Sequence, residues 1–358
     1  MNRSILLTFS LVILAGNITA QETNTVDQAS PEKKHSIFHS SKKEKHVFPT
    51  MGNVERLDPA FDQLIAPGTQ LQKLASGFAW AEGPVWSKSG HFLLFSDVPN
   101  NGIFKWEEGV GTREFLFPSG YTGSVPRAGE PGSNGLTFDK HGRLVMCQHG
   151  DRQIGRLDTP ANVTPLARYY KLRRFNSPND LVYKSNGDLY FTDPSYGLVG
   201  KESDPLRELN YNGVYRLKPN GEVTLLTRDL TFPNGLAFSP DESTLYIAVS
   251  DPNRAVWMAY DVQKDGTIAN GRVFADVTSL TKDKKGLPDG MKVDKKGNLW
   301  ATGPGGILVF TPEGKHLGTI NTGEPTGNCA FGDDGSMLYI TANHLLCRIP
   351  TLAKGNRF

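Results

Sequence analysis

The chain has 358 residues, 39 Lys and Arg against 37 Asp and Glu, and a formal net charge of +2. A balance this close to neutral gives no electrostatic case for nucleic acid, and three cysteines cannot build a disulfide framework. Beyond residue 20 no segment is long and apolar enough to cross a bilayer as a helix.

Residues 1–20 read as a secretory signal peptide. Met1-Asn2-Arg3 gives a short positive start, residues 5–15 form an almost unbroken apolar run, and Ala20 precedes the polar Gln21. Cleavage there predicts a periplasmic or secreted chain with no membrane insertion. A retained N-terminal anchor is the alternative. No Cys follows the run, so no lipoprotein attachment site is expected. Residues 21–58 carry Lys33, Lys34, Lys42, Lys43 and Lys45 among Ser, His and Glu, with few large apolar side chains. Such a stretch cannot bury enough apolar surface to offset its ordering entropy. A disordered linker is expected, with a polybasic anion-binding patch as the sharper alternative.

Residues 59–358 read as one repetitive all-β domain. Six segments open with a polar residue beside Gly or Asp, run through a short apolar strand, turn, and enter a second apolar strand. The polar residues are Glu82, Asn134, Asn179, Asn234, Asp289 and Asn328. From five of them the first large apolar residue of the second strand lies 10 positions on, and from Asn234 it lies 11 on. Successive starts are about 40 to 55 residues apart, the length of a propeller blade. Turn pairs such as Asn186-Gly187 and Pro240-Asp241 mark hairpins. The last repeat is one strand short, and residues 70–75 precede the first repeat without belonging to it. The expected fold is therefore a six-bladed β-propeller whose ring is closed by residues 70–75 pairing with the last blade. Cys147, Cys329 and Cys347 sit among apolar neighbours and read as buried strand residues.

In a propeller the innermost strand of each blade lines the central channel, so the six repeated polar residues should form a ring at its mouth. Asn before Gly is also an ordinary turn pair, but turn chemistry does not call for the carboxylates of Glu82 and Asp289. A ring of hard oxygens with two carboxylates suits calcium. Zinc prefers the His or Cys that the ring lacks.

Four pieces carry a resemblance to the gluconolactonase family, which includes regucalcin and is more distantly related to calcium-dependent phosphotriesterases and paraoxonases. They are Glu82-Gly83-Pro84-Val85-Trp86, Ser177-Pro178-Asn179-Asp180-Leu181, Pro233-Asn234-Gly235-Leu236 and Pro288-Asp289-Gly290-Met291. The resemblance runs over residues 71–349. It implies one divalent metal held by Glu82, Asn179, Asn234 and Asp289: calcium, with magnesium, manganese or zinc as alternatives. It also implies hydrolysis of a sugar lactone such as gluconolactone. Regucalcin-like members place an Arg two residues before the Asn-Asp pair, where this chain has Ser177, so sugar contacts must come from elsewhere. Asn134, His149, Arg152 and Asn179 are the candidates, with Tyr196 also near the mouth. The expected chemistry is metal-assisted attack of water on the lactone carbonyl, with Asp289 or Asp180 as general base. An arylesterase or phosphotriesterase on the same metal site, or a non-catalytic extracellular binding module, are the competing readings. No Gly-x-Ser-x-Gly elbow supports a serine hydrolase. Nothing in the sequence bears on oligomeric state.

Overall fold

The structure, a computed structural model, describes residues 47–160 and 162–356. The expected signal peptide and residues 21–46 of the expected linker lie outside these residues. The described chain is almost all strand, in six sheets of four or five strands plus one two-stranded hairpin. Blade 1 holds Ala81–Ser87, Phe92–Asp97, Gly102–Glu107 and Gly111–Leu116. Blade 2 holds Ser133–Phe138, Leu144–Gln148, Gln153–Thr159 and Asn162–Ala167. Blade 3 holds Leu181–Tyr183, Leu189–Asp193, Gly213–Leu217 and Val223–Thr227. Blade 4 holds Pro233–Phe238, Thr244–Asp251, Arg254–Val262 and Ile268–Asp276. Blade 5 holds Met291–Val293, Leu299–Gly303, Gly306–Phe310 and His316–Asn321. Blade 6 supplies Thr326–Gly332, Met337–Ala342 and Leu345–Pro350. The first strands of successive blades touch one another in cyclic order, with blade 6 returning to blade 1. The fold is the expected six-bladed β-propeller.

The core is divided accordingly. Six clusters of buried apolar residues each join two neighbouring blades. Strand alternation explains why the second strands read as continuous apolar runs: successive side chains point to opposite faces. Leu93 and Phe95 pack towards blade 6, while Leu94 between them packs towards blade 2. Both faces are buried, so neither can be polar. The three cysteines follow this rule and are free and buried, Cys147 between blades 2 and 3, Cys329 and Cys347 between blades 5 and 6.

The closing strand is Leu71–Ser76, antiparallel to Leu345–Pro350 with Gln72 opposite Arg348 and Ser76 opposite Leu345. One expectation needs correction. Residues 50–56, read as part of a polar linker, form two strands. Thr50–Met51 pairs with Leu71–Ser76 on blade 6, and Asn53–Arg56 pairs with His316–Asn321 on blade 5. Gly52 turns the chain from one blade edge to the next at φ +59°, where a Cβ would lie 2.0 Å from the Asn321 carbonyl oxygen. Met51 and Val54 pack on the junction core, and Arg56 donates to the carbonyls of Ile65 and Ala66 at 3.0 and 2.9 Å. Hydropathy misses such a segment because pre-formed sheet edges supply its hydrogen bonds, and two apolar residues then suffice to seat it.

Candidate metal centre and catalytic pocket

The site begins with a break in each blade's first hairpin. The ladder between the first two strands shifts register at Glu82/Val85, Ser133/Leu136, Pro233/Leu236 and Thr326/Asn328. In blades 3 and 5 it starts only at Leu181 and Met291. Every repeated polar residue therefore sits in or beside the break in pairing, Glu82 and Asn328 being paired at its edge, and an irregularity of this kind re-aims a side chain. A second repeat fixes the backbone there. The second strands place Ser96, Thr192, Ser250, Thr302 and Thr341 against it. Ser96 Oγ donates to the Asn134 carbonyl at 2.8 Å, Thr302 Oγ1 to those of Gly290 and Gly327 at 3.0 and 2.9 Å, and Thr341 Oγ1 to that of Asn328 at 3.2 Å. Ser96 and Thr302 thereby join neighbouring blades at the channel, and Thr341 braces its own.

The side chains converge. Asn134 Nδ2 donates to Asn179 Oδ1 at 2.9 Å, Asn179 Nδ2 donates to Asn234 Oδ1, and Asn234 Nδ2 donates to Ser250 Oγ at 2.9 Å, with the Asp289 carboxyl alongside. Glu82 accepts from the Gly83 N–H at 3.0 Å and from Trp80 Nε1 at 3.3 Å, with the Asn328 carboxamide alongside. Asp180, adjacent to Asn179, lies in the same cluster. Its Oδ1 accepts the Leu181 N–H at 2.8 Å, and its Oδ2 is buried without a partner. Glu82 and Asp180 are 2% and 4% exposed, whereas Asp289 is half-buried. Among the described residues none of the three carboxylates forms an ion pair. Burial pushes the Glu82 carboxyl up to about 7, with a further contribution from the nearby Asp180 charge. Asp289 is pushed well up by burial, then by Glu82 and Asp180. Burial also raises Asp180, opposed by the Lys292 ammonium.

This donor set fits a hard divalent cation. Oxygens from four blades meet, two of the four expected ligands are carboxylates, and among the described residues no cation forms an ion pair with them, the Lys292 ammonium acting on Asp180 only from a distance. Among the described residues no three His, Cys, Asp or Glu side chains form a metal cluster by themselves. The carboxamides of Asn179 and Asn234 must therefore complete the set.

The remaining candidates divide. His149 is fully buried beside the ring, with Nε2 3.1 Å from Asn179 Oδ1 and Nδ1 3.5 Å from Glu130 Oε2. Asn134 keeps a buried, unpartnered Oδ1 at the same place. Arg152 is not brought to the ring: its Nε and Nη1 donate to the carbonyls of Phe175 and Leu206 at 2.7 and 2.8 Å. A guanidinium engaged by two loop carbonyls ties loops together, while its Nη2 is buried without a partner. Ser177 is likewise turned away, donating to the Pro194 carbonyl at 2.6 Å. Sequence reasoning missed Lys292, whose Nζ lies 3.5 Å from Asn328 Oδ1. The signal was present: Val85, Thr137, Val182 and Ala237 occupy its place in blades 1 to 4, and none is charged.

Residues 80–344 match the SMP-30/Gluconolactonase/LRE-like region. The chain belongs to this family. All four motifs of the resemblance fall within the matched residues. Among family relatives, a gluconolactonase of Zymomonas mobilis is 41% identical over 316 residues, covering 86% of this chain and 88% of its own. A solved gluconolactonase of Xanthomonas campestris superposes with a TM-score of 0.74 at 32% identity, covering 85% of this chain and 97% of its own. A pentonolactonase of Haloferax volcanii is 26% identical, covering 73% and 80% of the two chains.

Proposed function

We propose that this chain is a metal-dependent lactonase that hydrolyses a sugar lactone such as gluconolactone. The lactone-hydrolysing names of its family relatives support the reaction class. The observation that carries the metal dependence is the convergence of Glu82, Asn179, Asn234 and Asp289 around buried carboxylates that form no ion pair among the described residues. A divalent cation held there supplies Lewis acidity for the lactone carbonyl and offsets oxyanion charge in the tetrahedral state.

The chain's own residues do the rest. Glu82 and Asp289 contribute the charge that holds the ion, and Asn179 and Asn234 contribute neutral oxygens that leave it electrophilic. Accommodating it requires Asn234 Oδ1 to exchange the Asn179 N–H for the cation. His149 Nε2 and Asn134 Nδ2 both meet Asn179 Oδ1, so that oxygen too must give up a contact to take the cation. Asp180 Oδ2 lacks a hydrogen-bond donor, so it can take the proton of an attacking water. Asp289 is the second candidate for that role. Either base is matched to an activated acyl group such as a lactone rather than to an amide. Exhaustive chelation should abolish hydrolysis of glucono-1,5-lactone and calcium should restore it.

Export is proposed with it, on the signal-like pattern of residues 1–20. Mass spectrometry of the protein from its host should find the N-terminus near Gln21. An intact Met1 in the cytosol would contradict export.

A further inference from the structure

The turn at residues 149–152 joins the second and third strands of blade 2 and begins at His149, beside the ring. Three guanidiniums gather on it. Arg127 Nη1 donates to the Gly150 carbonyl at 2.8 Å, Arg174 Nη2 donates to the Asp151 carbonyl, and Arg152 belongs to the turn itself. Arg127 Nη2 also donates to the Gly197 carbonyl. Gly197 borders the ring: a Cβ on it would lie 2.5 Å from His149 Cβ and 2.7 Å from Ser177 Cβ. Among the described residues none of the three arginines forms an ion pair, whereas Arg56, Arg143, Arg156 and Arg272 each meet a carboxylate. The acids nearby are occupied by other donors. Asp151 accepts the Thr122 N–H at 3.1 Å and its hydroxyl at 2.8 Å. Asp193 takes the N–H groups of Asn176 and Ser177, Asp204 those of Gly200 and Leu206, and Glu208 that of Arg174, all at 2.8 Å. Guanidinium nitrogens are left over. Arg152, 5% exposed, keeps Nη2 buried without a partner, and Arg174 keeps Nε in the same condition. Buried donors normally find an acceptor, and three cations on one turn repel one another. Arg127 and Arg174 are half-buried, so the cluster stays reachable from solvent.

We propose that Arg127, Arg152 and Arg174 form an anion subsite beside the metal centre, which selects lactones carrying a carboxylate or phosphate at the end remote from the lactone carbonyl. The proposal rests on the lactonase reading above. Such an oxyanion brings several acceptor oxygens to the leftover N–H groups and offsets the like charges, and guanidiniums suit the geometry of both groups. A neutral hydroxyl would leave the charges unbalanced. The subsite also accounts for Ser177, where regucalcin-like members carry an Arg. Gly197 donates its N–H to Ser177 Oγ at 2.9 Å and accepts Arg127 at its carbonyl. A cation is thus delivered beside position 177 from the loop at residues 117–132 instead. That loop is fixed at its base, where Asn101 Oδ1 accepts the N–H groups of Gly120 and Tyr121 at 2.8 and 3.0 Å. The Arg127 guanidinium lies 5.8 Å from the centre of the Tyr121 ring.

The test compares lactones in pairs of equal ring size. 6-Phosphoglucono-1,5-lactone is set against glucono-1,5-lactone, and glucaro-1,4-lactone against glucono-1,4-lactone, so the two pairs separate phosphate from carboxylate. kcat/KM is measured for the parent, Arg127→Gln and Arg174→Gln at saturating calcium, with the thermal midpoint of each. The parent should prefer at least one anionic lactone over its neutral counterpart by about 10-fold or more, the usual effect of a charge-assisted hydrogen bond. Each variant should lower that preference by about 10-fold, through KM rather than kcat. No preference in the parent for either anion would overturn the proposal. So would a preference that survives both variants, which would place the anion elsewhere. A merely structural role predicts equal losses on charged and neutral lactones with a lowered midpoint, and that result also overturns it. If a Gln variant does not fold, Met takes its place and keeps the packed stem. A parent that hydrolyses none of the four lactones would sink the lactonase reading itself. The subsite is then judged by calorimetry with glucose 6-phosphate and glucuronate against glucose. Anion-dependent binding that the variants lose supports it, and equal or absent binding of the three refutes it.

Discussion

At the scale of residues, the account separates holding the ion from performing the reaction. Glu82→Gln removes one of two charges from the proposed ligand set, so calcium affinity should fall and excess calcium should restore much of the rate. Asp180→Asn should leave the calcium content near that of the parent and lower turnover by about 100- to 10,000-fold, the usual loss of a general base. Parent-like turnover in Asp180→Asn would move that role to Asp289. Protonation gives a second handle. Burial, helped by the Asp180 charge, pushes the Glu82 carboxyl from its ordinary 4.5 up to about 7 in the ion-free protein. Between those values the folded protein holds a proton that the unfolded chain has released. The contribution of Glu82 to the stability of the ion-free protein is therefore full below that window and is lost as pH rises through it. A bound cation must displace the same proton, so calcium affinity should strengthen between about pH 6 and pH 8. The Asp193 carboxyl, also pushed up to about 7 by burial, titrates in the same window whether or not the ion is bound. The difference between calcium-loaded and chelated melting curves thus separates the site carboxylates, Glu82 with Asp289 and Asp180, from Asp193. Equal calcium affinity at the two pH values would contradict this assignment.

At the scale of elements, much of the blade pattern was legible because two periodicities coincide. The polar residue and the apolar residue 10 positions on recur in five repeats, and second strands buried on both faces leave unbroken apolar runs. The closing strand was legible through a deficit: the last repeat lacked a strand, and residues 70–75 had no blade of their own. Leu71 of that strand is 1% exposed in the core between blades 5 and 6. Leu71→Ala should cost about 2 to 5 kcal/mol by the usual transfer and cavity effects, read by denaturant unfolding. A loss under ~1 kcal/mol would mean that the closing strand contributes little. The strands at 50–56 were not legible, since their stabilisation comes from edges formed elsewhere in the chain. The loop-tying contacts of Arg152 were not legible for a related reason. Its sequence neighbours place it near the mouth, but the carbonyls of Phe175 and Leu206 that engage it are 23 and 54 residues away. Lys292 was readable only by aligning the six repeats position by position, where a lone charge stands among Val, Thr and Ala.

At the scale of the whole molecule, the propeller brings residues scattered over 208 positions, from Glu82 to Asp289, into one cluster, because each blade contributes one side chain at the same break in its first hairpin. No single blade holds the set, and ring closure is what brings Glu82 of blade 1 beside Asn328 of blade 6. The central claim is that this cluster binds one divalent cation on which lactone hydrolysis depends. The most direct measurement is a calcium titration of exhaustively chelated protein, following calorimetric binding and glucono-1,5-lactone hydrolysis on the same samples. The account predicts no hydrolysis above the spontaneous rate before calcium, and full recovery at about one ion per chain. Hydrolysis at the full parent rate in the chelated protein would contradict it.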